Sequence, residues 1–301
     1  MSDYNAVEFA ENIEKGIDKR LSVASRRRKS FFVWLWRLLI AGFAILQMFP
    51  LIWMANYSLA NSAAIYGQTI LTMPRPIMWS NFYNAWVYGK IASYGRNTLF
   101  VVPLCLLISL SLNLILSYAF TRMRWKLRKL CLGIVLLGLM IPIHVTLLPN
   151  FLSFKFIGIQ DTYLALFAPY IAFNLPFGIF MMTSFIEGLS PSMEESAVID
   201  GCNIWRIIFQ IVAPLTAPAL ITVAIMNFLN NWNEFIMAAI YISREELKTL
   251  PFAIYNFQGS FMSDYSLQFA VLTIIALPPI IIYLLLSKRM TKGIMLGAIK
   301  E

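Results

Sequence analysis

The segment Glu194-Glu195-Ser196-Ala197-Val198-Ile199-Asp200-Gly201, followed by Ile211-Val212-Ala213-Pro214, decides how this chain is interpreted. It is an acidic, helix-breaking segment between two long apolar stretches. Ser190 precedes it as a candidate helix N-cap, and Gly201 can end that helix in a left-handed conformation that other residues enter only at a cost. Asn203 can then cap a second short helix. The segment predicts two short helices, joined at a glycine elbow, that lie against a membrane surface.

The composition of the chain indicates a membrane protein. Of its 301 residues, 59% are hydrophobic and only 13% are charged, which is too apolar for an ordinary soluble domain. A helix of about 20 apolar residues crosses the hydrocarbon core of a bilayer, and lipid-facing backbone must satisfy its own hydrogen bonds. We therefore predict an all-α integral membrane protein with six transmembrane helices. The predicted spans are residues 32–55, 98–119, 130–149, 163–186, 216–241 and 267–287.

Positive charge predicts the orientation, since cytoplasmic loops carry an excess of Lys and Arg. With six spans, most of the 24 Lys and Arg residues share one side with both termini and the Glu194–Gly201 segment. The exceptions are Arg75, Lys90, Arg96, Lys155, Arg244 and Lys248. We expect a multi-pass protein with both termini cytoplasmic. This topology accounts for the net charge of +9, so membrane lipid is an expected partner and nucleic acid is not.

The run Glu195-Ser196-Ala197, with Asp200-Gly201 and Ile211-Val212-Ala213-Pro214, resembles the EAA loop of membrane permease subunits in ABC importers. The family form is Glu-Ala-Ala, three residues, Gly, nine residues and Ile-x-Leu-Pro. Ser196 and Ala213 depart from it but leave the spacing intact. Other motifs resemble the carbohydrate, maltose-type branch of the binding-protein-dependent (MetI-like) permeases, namely Met140-Ile141-Pro142, Pro149, Trp232-Asn233-Glu234-Phe235, Thr249-Leu250-Pro251 and residues 292–300.

This resemblance implies a type I ABC importer permease fold in the bacterial inner membrane. A cytoplasmic leader would occupy residues 1–30, the six-span domain residues 31–292 and a cytoplasmic tail residues 293–301. Within the domain, residues 188–214 would form the loop that docks on an ATPase, here called the coupling loop. Its ATPase-coupling residues would be Glu194, Glu195, Ser196, Ala197, Asp200, Gly201, Ile211 and Pro214.

The resemblance also implies the partners. They are two copies of a cytoplasmic ABC ATPase, a second permease subunit, with a heterodimer favoured over a homodimer, and an extracytoplasmic solute-binding protein. The cargo would be a sugar or oligosaccharide, and external Arg75, Lys90 and Arg96 hint at an anionic one, although phospholipid contact explains them equally well. The external segment 251–264 resembles the loop that contacts the binding protein, through Phe252, Tyr255, Gly259 and Asp264.

A polar stripe marks the predicted fifth span. Asn227, Asn230, Asn231 and Glu234 follow the spacing of one helix face, and polar side chains within a membrane are costly unless they face protein or water. The stripe predicts a translocation path whose amides bond sugar hydroxyls, with Trp232 available to stack on a sugar ring. The alternative is that these residues join helices across a subunit interface.

Other function classes find less support in the sequence. The single histidine, His144, excludes paired-histidine metal sites, and no catalytic constellation is visible. Without a G-x-x-x-x-G-K-[ST] motif, the chain does not build a P-loop. We expect no enzyme activity, no metal and no cofactor in this chain, with ATP and Mg bound by the partner ATPase. A secondary transporter with a self-contained site and, less favoured, a membrane-embedded enzyme are the alternatives.

Overall fold

The computed structural model describes residues 32–62, 73–259 and 263–298, with side chains to residue 287. The leader predicted at residues 1–30 lies outside these ranges. Residues 1–56 and 57–301 form two units. Within the described ranges the regular structure is helical, without a β-strand. The predicted all-α class is therefore confirmed.

The first unit contributes helix α1. This helix runs from Phe32 to Ser58 and is long and apolar enough to cross a bilayer. Its large apolar side chains, such as Trp36 and Ile45, are exposed. A helix that is apolar on all sides is typical of a membrane span, which agrees with the first predicted span.

The second unit contains the remaining helices and several 3-10 turns. In chain order the helices are α2 (Ser80–Tyr88), α3 (Ile91–Thr121), α4 (Arg128–Leu137), α5 (Leu147–Ile157), α6 (Leu164–Glu187), α7 (Ser192–Ile199), α8 (Ile204–Leu215), α9 (Ala217–Trp232), α10 (Ile236–Tyr241) and α11 (Tyr265–Ala298). The 3-10 turns are Gly138–Met140, Ile143–Thr146, Glu245–Leu247 and Leu250–Phe257.

Continuous helices account for four of the predicted spans. Besides α1, the segments Ile91–Thr121, Leu164–Glu187 and Tyr265–Ser287 are long and apolar enough to cross a bilayer. Helix α11 then continues without a break to Ala298. The predicted boundary between domain and tail at residue 293 is thus not marked by a change of backbone conformation.

The third span differs from the single helix predicted at residues 130–149. Arg128–Met140 and Ile143–Ile157 form a pair bent by 98°. Ile141 and Pro142 between them are extended, with ψ of 113° and 130°. Proline disfavours the helical conformation of the residue before it and donates no backbone hydrogen bond, which explains the interruption at this point.

The fifth span also differs from its prediction, residues 216–241. Ile204–Leu215 and Ala217–Trp232 form a pair bent by 83°, where the ring of Pro218 opposes a continuous helix. Helix α9 then ends at Trp232, and α10 begins at Ile236. Consequently Glu234 lies in the connection between two helices and not on the helix that carries the asparagines.

Buried apolar side chains in the second unit form three clusters. One joins α2, the N-terminal part of α3, α9 and α11, and another joins α3 to α5, α6 and α10. The third cluster packs Ala197 of α7 and Ile208 of α8 against Leu114 of α3 and Ile186 of α6. The short helices of the coupling loop therefore share a core with the long membrane helices.

Candidate functional site

The glycine elbow predicted in the coupling loop is present. Gly201 has φ of +77°. Its N–H donates to Val198 O at 3.0 Å, and the N–H of Cys202 donates to Ala197 O at 2.9 Å. This pair of bonds is the Schellman motif, which closes the carbonyl end of a helix with a left-handed residue. Helix α7 therefore ends in a fixed direction.

The capping predictions have different outcomes. Asn203 caps α8, because its Oδ1 accepts the N–H of Arg206 at 2.9 Å. By contrast, α7 begins at Ser192, and no side chain caps it. Ser190 Oγ lies at 3.4 Å from the N–H of Ser192, a long contact that contributes little. The prediction that Ser190 caps this helix was wrong, and the carboxylates of the first turn are left to stabilise its N-terminus.

The two adjacent glutamates of the coupling loop face opposite ways. Glu194 is 8% exposed, and its Oε1 accepts a hydrogen bond from Arg122 Nε at 2.8 Å. Arg122 also donates to the carbonyl oxygens of Ile186 at 2.8 Å and Leu189 at 2.7 Å. The guanidinium thus ties α7 to the ends of α3 and α6. We call these contacts the Arg122 clamp.

The outer face of the coupling loop is available to a partner. Glu195, Ser196 and Asp200 are exposed, whereas Ala197 is buried in the core. Apolar side chains also face outward on both short helices, with Ile199 86% and Trp205 56% exposed. In α8, Ile211 is half-buried and Pro214 is exposed. The predicted coupling residues therefore divide into an inner set that packs and an outer set that remains free for contact.

A second candidate region is a cavity of about 210 Å³ between the bent third span, α6 and α9, here called the polar cavity. Asn230 and Asn231 line it from α9, and Tyr170 and Asn174 line it from α6. Glu234 lines it from the connection that follows α9. Three of the five predicted path residues, Asn230, Asn231 and Glu234, thus meet in one place.

The carboxylate of Glu234 is held by fixed donors. Its Oε1 accepts the N–H of Met237 at 2.7 Å, and its Oε2 accepts the N–H of Ala238 at 3.3 Å. Tyr170 donates its hydroxyl to Oε2 at 2.6 Å. Negative charge at a helix N-terminus is favourable, so Glu234 both starts α10 and fixes Tyr170.

The other two predicted path residues lie away from the polar cavity. Trp232 is 4% exposed, and its Nε1 donates to Ile275 O of α11 at 3.1 Å. Its ring lies against Phe228 with centroids 5.3 Å apart. It is therefore not available to stack on a sugar, contrary to the prediction. Asn227 is buried at 1% exposure and does not line the polar cavity.

The predicted binding-protein segment forms a compact aromatic group. The ring of Phe252 lies 5.4 Å from that of Tyr255 and 5.9 Å from that of Phe235. Tyr255 is 54% exposed. Gly259 is exposed, whereas Asp264 caps α11 by accepting the N–H of Leu267 at 3.1 Å. Tyr255 and Gly259 are thus the exposed members of the predicted set.

Charged groups beside this segment are paired or buried. Lys90 forms an ion pair with Glu245. Their hydrogen bond raises the pKa of Lys90 and lowers the pKa of Glu245, so both remain charged over a wide pH range. Lys248 is buried, with its Nζ 4.1 Å from the centre of the Phe252 ring. Burial lowers the pKa of this lysine.

Sequence reasoning missed several of these residues. The sequence places Arg122 only among the many Lys and Arg residues of the predicted cytoplasmic side, and its partner Glu194 lies 72 residues away in the chain. Asn174 offered a usable signal, because an amide within an apolar span is costly without a polar neighbour. Tyr170 offered none, since tyrosine is common in membrane helices. Among the described residues, no cluster of acidic, histidine and cysteine side chains could hold a metal ion.

Comparison with known proteins gives a consistent result. Residues 112–295 match the family described as "Binding-protein-dependent transport system inner membrane component". A putative ABC transporter permease protein, ORF2 of Caldicellulosiruptor sp. (strain Rt8B.4), is 33% identical over 93% of this chain and all of its own length. The trehalose/maltose transport system permease protein MalG of Thermococcus litoralis is 30% identical over 87% of this chain and 96% of its own.

A further relative and a solved structure complete the comparison. The diacetylchitobiose uptake system permease protein NgcG of Streptomyces coelicolor is 27% identical over 93% of this chain and 92% of its own. The crystal structure of a bacterial ABC transporter involved in the import of the acidic polysaccharide alginate contains a chain that matches with a TM-score of 0.73. That match covers 87% of this chain and 97% of the other at 23% identity, and it shows a shared fold.

Proposed function

The chain belongs to the family of inner membrane components of binding-protein-dependent transport systems, and from this premise we propose that it is a permease subunit of an ATP-driven carbohydrate importer. The matched family and the apolar helices make it a transport subunit of the inner membrane. We further propose that ATP is the energy source, that the cargo is a sugar or oligosaccharide, and that both termini are cytoplasmic. Alternating access would expose a central path first outward and then inward as a partner ATPase closes and reopens.

The structure of the coupling loop is the observation that best supports this proposal. A cytoplasmic ATPase can move membrane helices only through an element that is rigid and joined to them. Helix α7 ends in a fixed Schellman motif at Gly201, and Ala197 packs into the core of the long helices. From the end of α3, the Arg122 clamp adds one hydrogen bond to Glu194 of α7 and two to carbonyl oxygens at the end of α6. The exposed Glu195 and Ile199 are left to contact the partner.

The proposed assembly has five further components. They are two copies of a cytoplasmic ABC ATPase that binds ATP and Mg, a second permease subunit that makes a heterodimer, a solute-binding protein outside the membrane and the cargo. The basic residues Arg124 and Arg128 lie beside the coupling loop, which supports placing this loop and both termini in the cytoplasm. The exposed Tyr255 and Gly259 support contact of the opposite face with the binding protein.

A carbohydrate cargo is supported by the relatives. The proteins from Thermococcus and Streptomyces are named for trehalose and maltose and for diacetylchitobiose. Their similarity extends over more than four fifths of this chain. Asparagine side chains in the polar cavity are consistent with such a cargo, because an amide both donates and accepts hydrogen bonds.

Co-purification tests the proposal. The tagged chain is extracted from its native membrane in mild detergent, and its partners are identified by mass spectrometry. We expect a P-loop ATPase and a second permease. Glu195→Ala combined with Gly201→Val should lose the ATPase and keep the second permease, since a side chain at Gly201 opposes the left-handed turn by about 1–2 kcal/mol. Recovery of a single chain that transports without an ATPase would overturn the proposal.

Gly158 provides the matched control. It follows α5 with φ of +76°, nearly the same as Gly201, and neither position has an atom within 4 Å of an added Cβ. Gly158→Val therefore carries the same backbone cost outside the coupling loop and should retain the ATPase. Gly201→Asn should retain more ATPase than Gly201→Val, because asparagine tolerates the left-handed conformation better. Equal loss in the Gly158→Val variant would mean that the effect is one of stability and not of docking.

A further inference from the structure

The polar cavity is lined by neutral hydrogen-bonding groups together with one acid. Asn174, Asn230 and Asn231 face it with three side-chain amides. Glu234 is the acid, and none of the described lining residues is Lys or Arg. Binding sites for carboxylates, sulfates and phosphates rely on Arg and Lys. The lining thus offers an anion no positive partner.

The charge of Glu234 is fixed in place. Its two oxygens accept hydrogen bonds from the N–H groups of Met237 and Ala238 and from the Tyr170 hydroxyl. Because these bonds hold the carboxylate at the start of α10, its side chain is not free to rotate out of the cavity when a cargo molecule enters. A second negative charge in the same cavity would be repelled, and like charges at close range are strongly unfavourable.

One amide of the cavity lacks a partner. Asn231 is only 6% exposed, yet its Nδ2 makes no hydrogen bond. Its Oδ1 accepts from Asn174 Nδ2 at 3.4 Å. A buried polar atom without a partner is costly, and the residue that carries it lines the cavity. Rotation of this amide toward the cavity would let a sugar hydroxyl accept from it and remove that cost.

The basic residues outside the polar cavity do not bring positive charge into its lining. Arg75 and Arg96 are exposed, but neither lines the cavity. Lys90 was one of the basic residues that hinted at an anionic cargo, but its charge is neutralised by Glu245. Lys248 is buried under the Phe252 ring, with its Nζ 3.4 Å from the carbonyl oxygens of Ala238 and Ala239. Neither of these lysines presents an uncompensated charge to the outside.

From these observations we infer that the polar cavity is a contact site for an uncharged glycan, and that the cargo bears neither carboxylate nor sulfate. This inference rests on the proposed function and narrows its cargo. Sugar hydroxyls both donate and accept hydrogen bonds, so they satisfy the amides of Asn230 and Asn231 without an opposing charge. The chain would then share the fold of the alginate importer without sharing an acidic cargo.

The class of cargo can be identified from the oligosaccharides that the cells remove from their growth medium. The bacterium that carries this chain is grown with a pool of short neutral, carboxylated and sulfated oligosaccharides, and the medium is followed by mass spectrometry. The same growth is repeated after deletion and after complementation of the gene. Depletion of neutral glycans that stops on deletion supports the inference. If depletion of carboxylated or sulfated glycans stops on deletion, the inference is wrong, whereas the proposal of a carbohydrate importer is supported. If deletion of the gene changes the depletion of no glycan, the proposal of a carbohydrate cargo is wrong, and the inference is wrong with it.

Two exposed asparagines at the end of α9 then test the cavity itself. Asn230 lines the polar cavity, whereas Asn233 lies on another surface, and its side chain donates to Leu229 O at 2.9 Å. Asn230→Asp should slow uptake of the identified glycan about tenfold, since an amide donor is replaced by an acceptor and a charge is added. Asn233→Asp introduces the same charge about one helical turn away. It should leave the uptake rate within about twofold of that of the unchanged transporter, because surface substitutions usually have small effects.

Three results would overturn the role of the cavity. The first is uptake by both the Asn230→Asp and the Asn233→Asp variant at the rate of the unchanged transporter. The second is an equal decrease of uptake in both variants. The third is loss of the second permease from the purified Asn230→Asp transporter. The last would assign Asn230 to the subunit interface. Asn230→Gln keeps the amide and should restore at least part of the uptake.

Discussion

At the scale of single residues, Arg122 makes the contacts with the clearest consequence. Arg122→Ala leaves Glu194 buried without its partner and removes the donors to Ile186 O and Leu189 O. Breaking a buried ion pair from one side costs about 3–5 kcal/mol. We expect a lower melting temperature of the purified chain in detergent and reduced recovery of the ATPase.

A neighbouring arginine is the control for this prediction. Arg124 lies beside the same coupling loop but is exposed, so Arg124→Ala should change the melting temperature little. Arg122→Lys should rescue only in part, because an ammonium cannot repeat the fixed fork of a guanidinium. Full stability and normal ATPase recovery in the Arg122→Ala variant would show that the Arg122 clamp does not hold the coupling loop.

Local chemistry explains which residue-level predictions succeeded. The left-handed turn at Gly201 and the cap at Asn203 depend on bonds that reach no more than a few residues along the chain, so the sequence contains the whole signal. The Arg122–Glu194 bond joins residues of different helices, and only the packing of α3 against α7 brings them together. The same limit applied to Trp232, whose burial depends on contact with α11.

At the scale of helices, the contact between α3 and α6 depends on one glycine. A Cβ at Gly178 would lie 2.0 Å from Asn113 Nδ2. Because Asn113 is fully buried, Gly178→Ala requires its side chain or the two helices to shift, and overpacking of this kind typically costs about 1–3 kcal/mol. We expect a lower melting temperature in detergent, measured by size-exclusion chromatography after heating.

The neighbouring side chain supplies a suppressor for this change. Both polar atoms of the Asn113 side chain are buried without a hydrogen-bond partner, so Asn113→Ala removes no bond and makes room. The double variant should recover most of the stability lost in Gly178→Ala. Gly95→Ala, in an open part of α3, should be tolerated. Failure of Asn113→Ala to restore stability would rule out this steric contact as the cause.

The breaks in helices were harder to predict than the spans themselves. Apolar length alone identified α1, α3, α6 and α11. Proline, however, has two outcomes in this chain. Pro103 and Pro176 lie inside continuous helices, whereas Pro142 and Pro218 accompany bends of 98° and 83°. Since the local effect of proline is the same in each case, the packing around it decides whether a helix continues, and that packing is not visible in a sequence.

At the scale of the whole molecule, the proposed orientation places Cys202 of the coupling loop in the cytoplasm and Ser243 outside. A membrane-impermeant thiol reagent should therefore label Cys202 in inside-out vesicles only. In a Cys202→Ala background, Ser243→Cys should be labelled in right-side-out vesicles only. Cys131→Ala in both backgrounds removes the other partly exposed thiol, and Cys105 is buried. Labelling of both positions from the same side would contradict the orientation.

The sequence predicted the all-α class and the apolar segments of the molecule better than its cavity. Composition acts over the whole chain, so the apolar segments could be identified from it directly, and the distribution of charge predicts their orientation. The polar cavity is assembled from α6, α9 and the bent third span, which are distant in the sequence. Two of its five polar residues, Tyr170 and Asn174, belong to α6, and the packing that brings them to α9 is not visible in the sequence.

The bend in the third span has a consequence for biosynthesis. At about 1.5 Å per residue, Arg128–Met140 is roughly 20 Å long, and Ile143–Ile157 is only slightly longer. The hydrocarbon core is about 30 Å thick, so neither half can cross it alone. We therefore expect this part of the nascent chain to enter the lipid together with a neighbouring helix. Helix α6 packs against it at Gly138 and Pro176 and is synthesised afterwards, so we expect the two halves of the third span to stay at the insertion machinery until α6 is made.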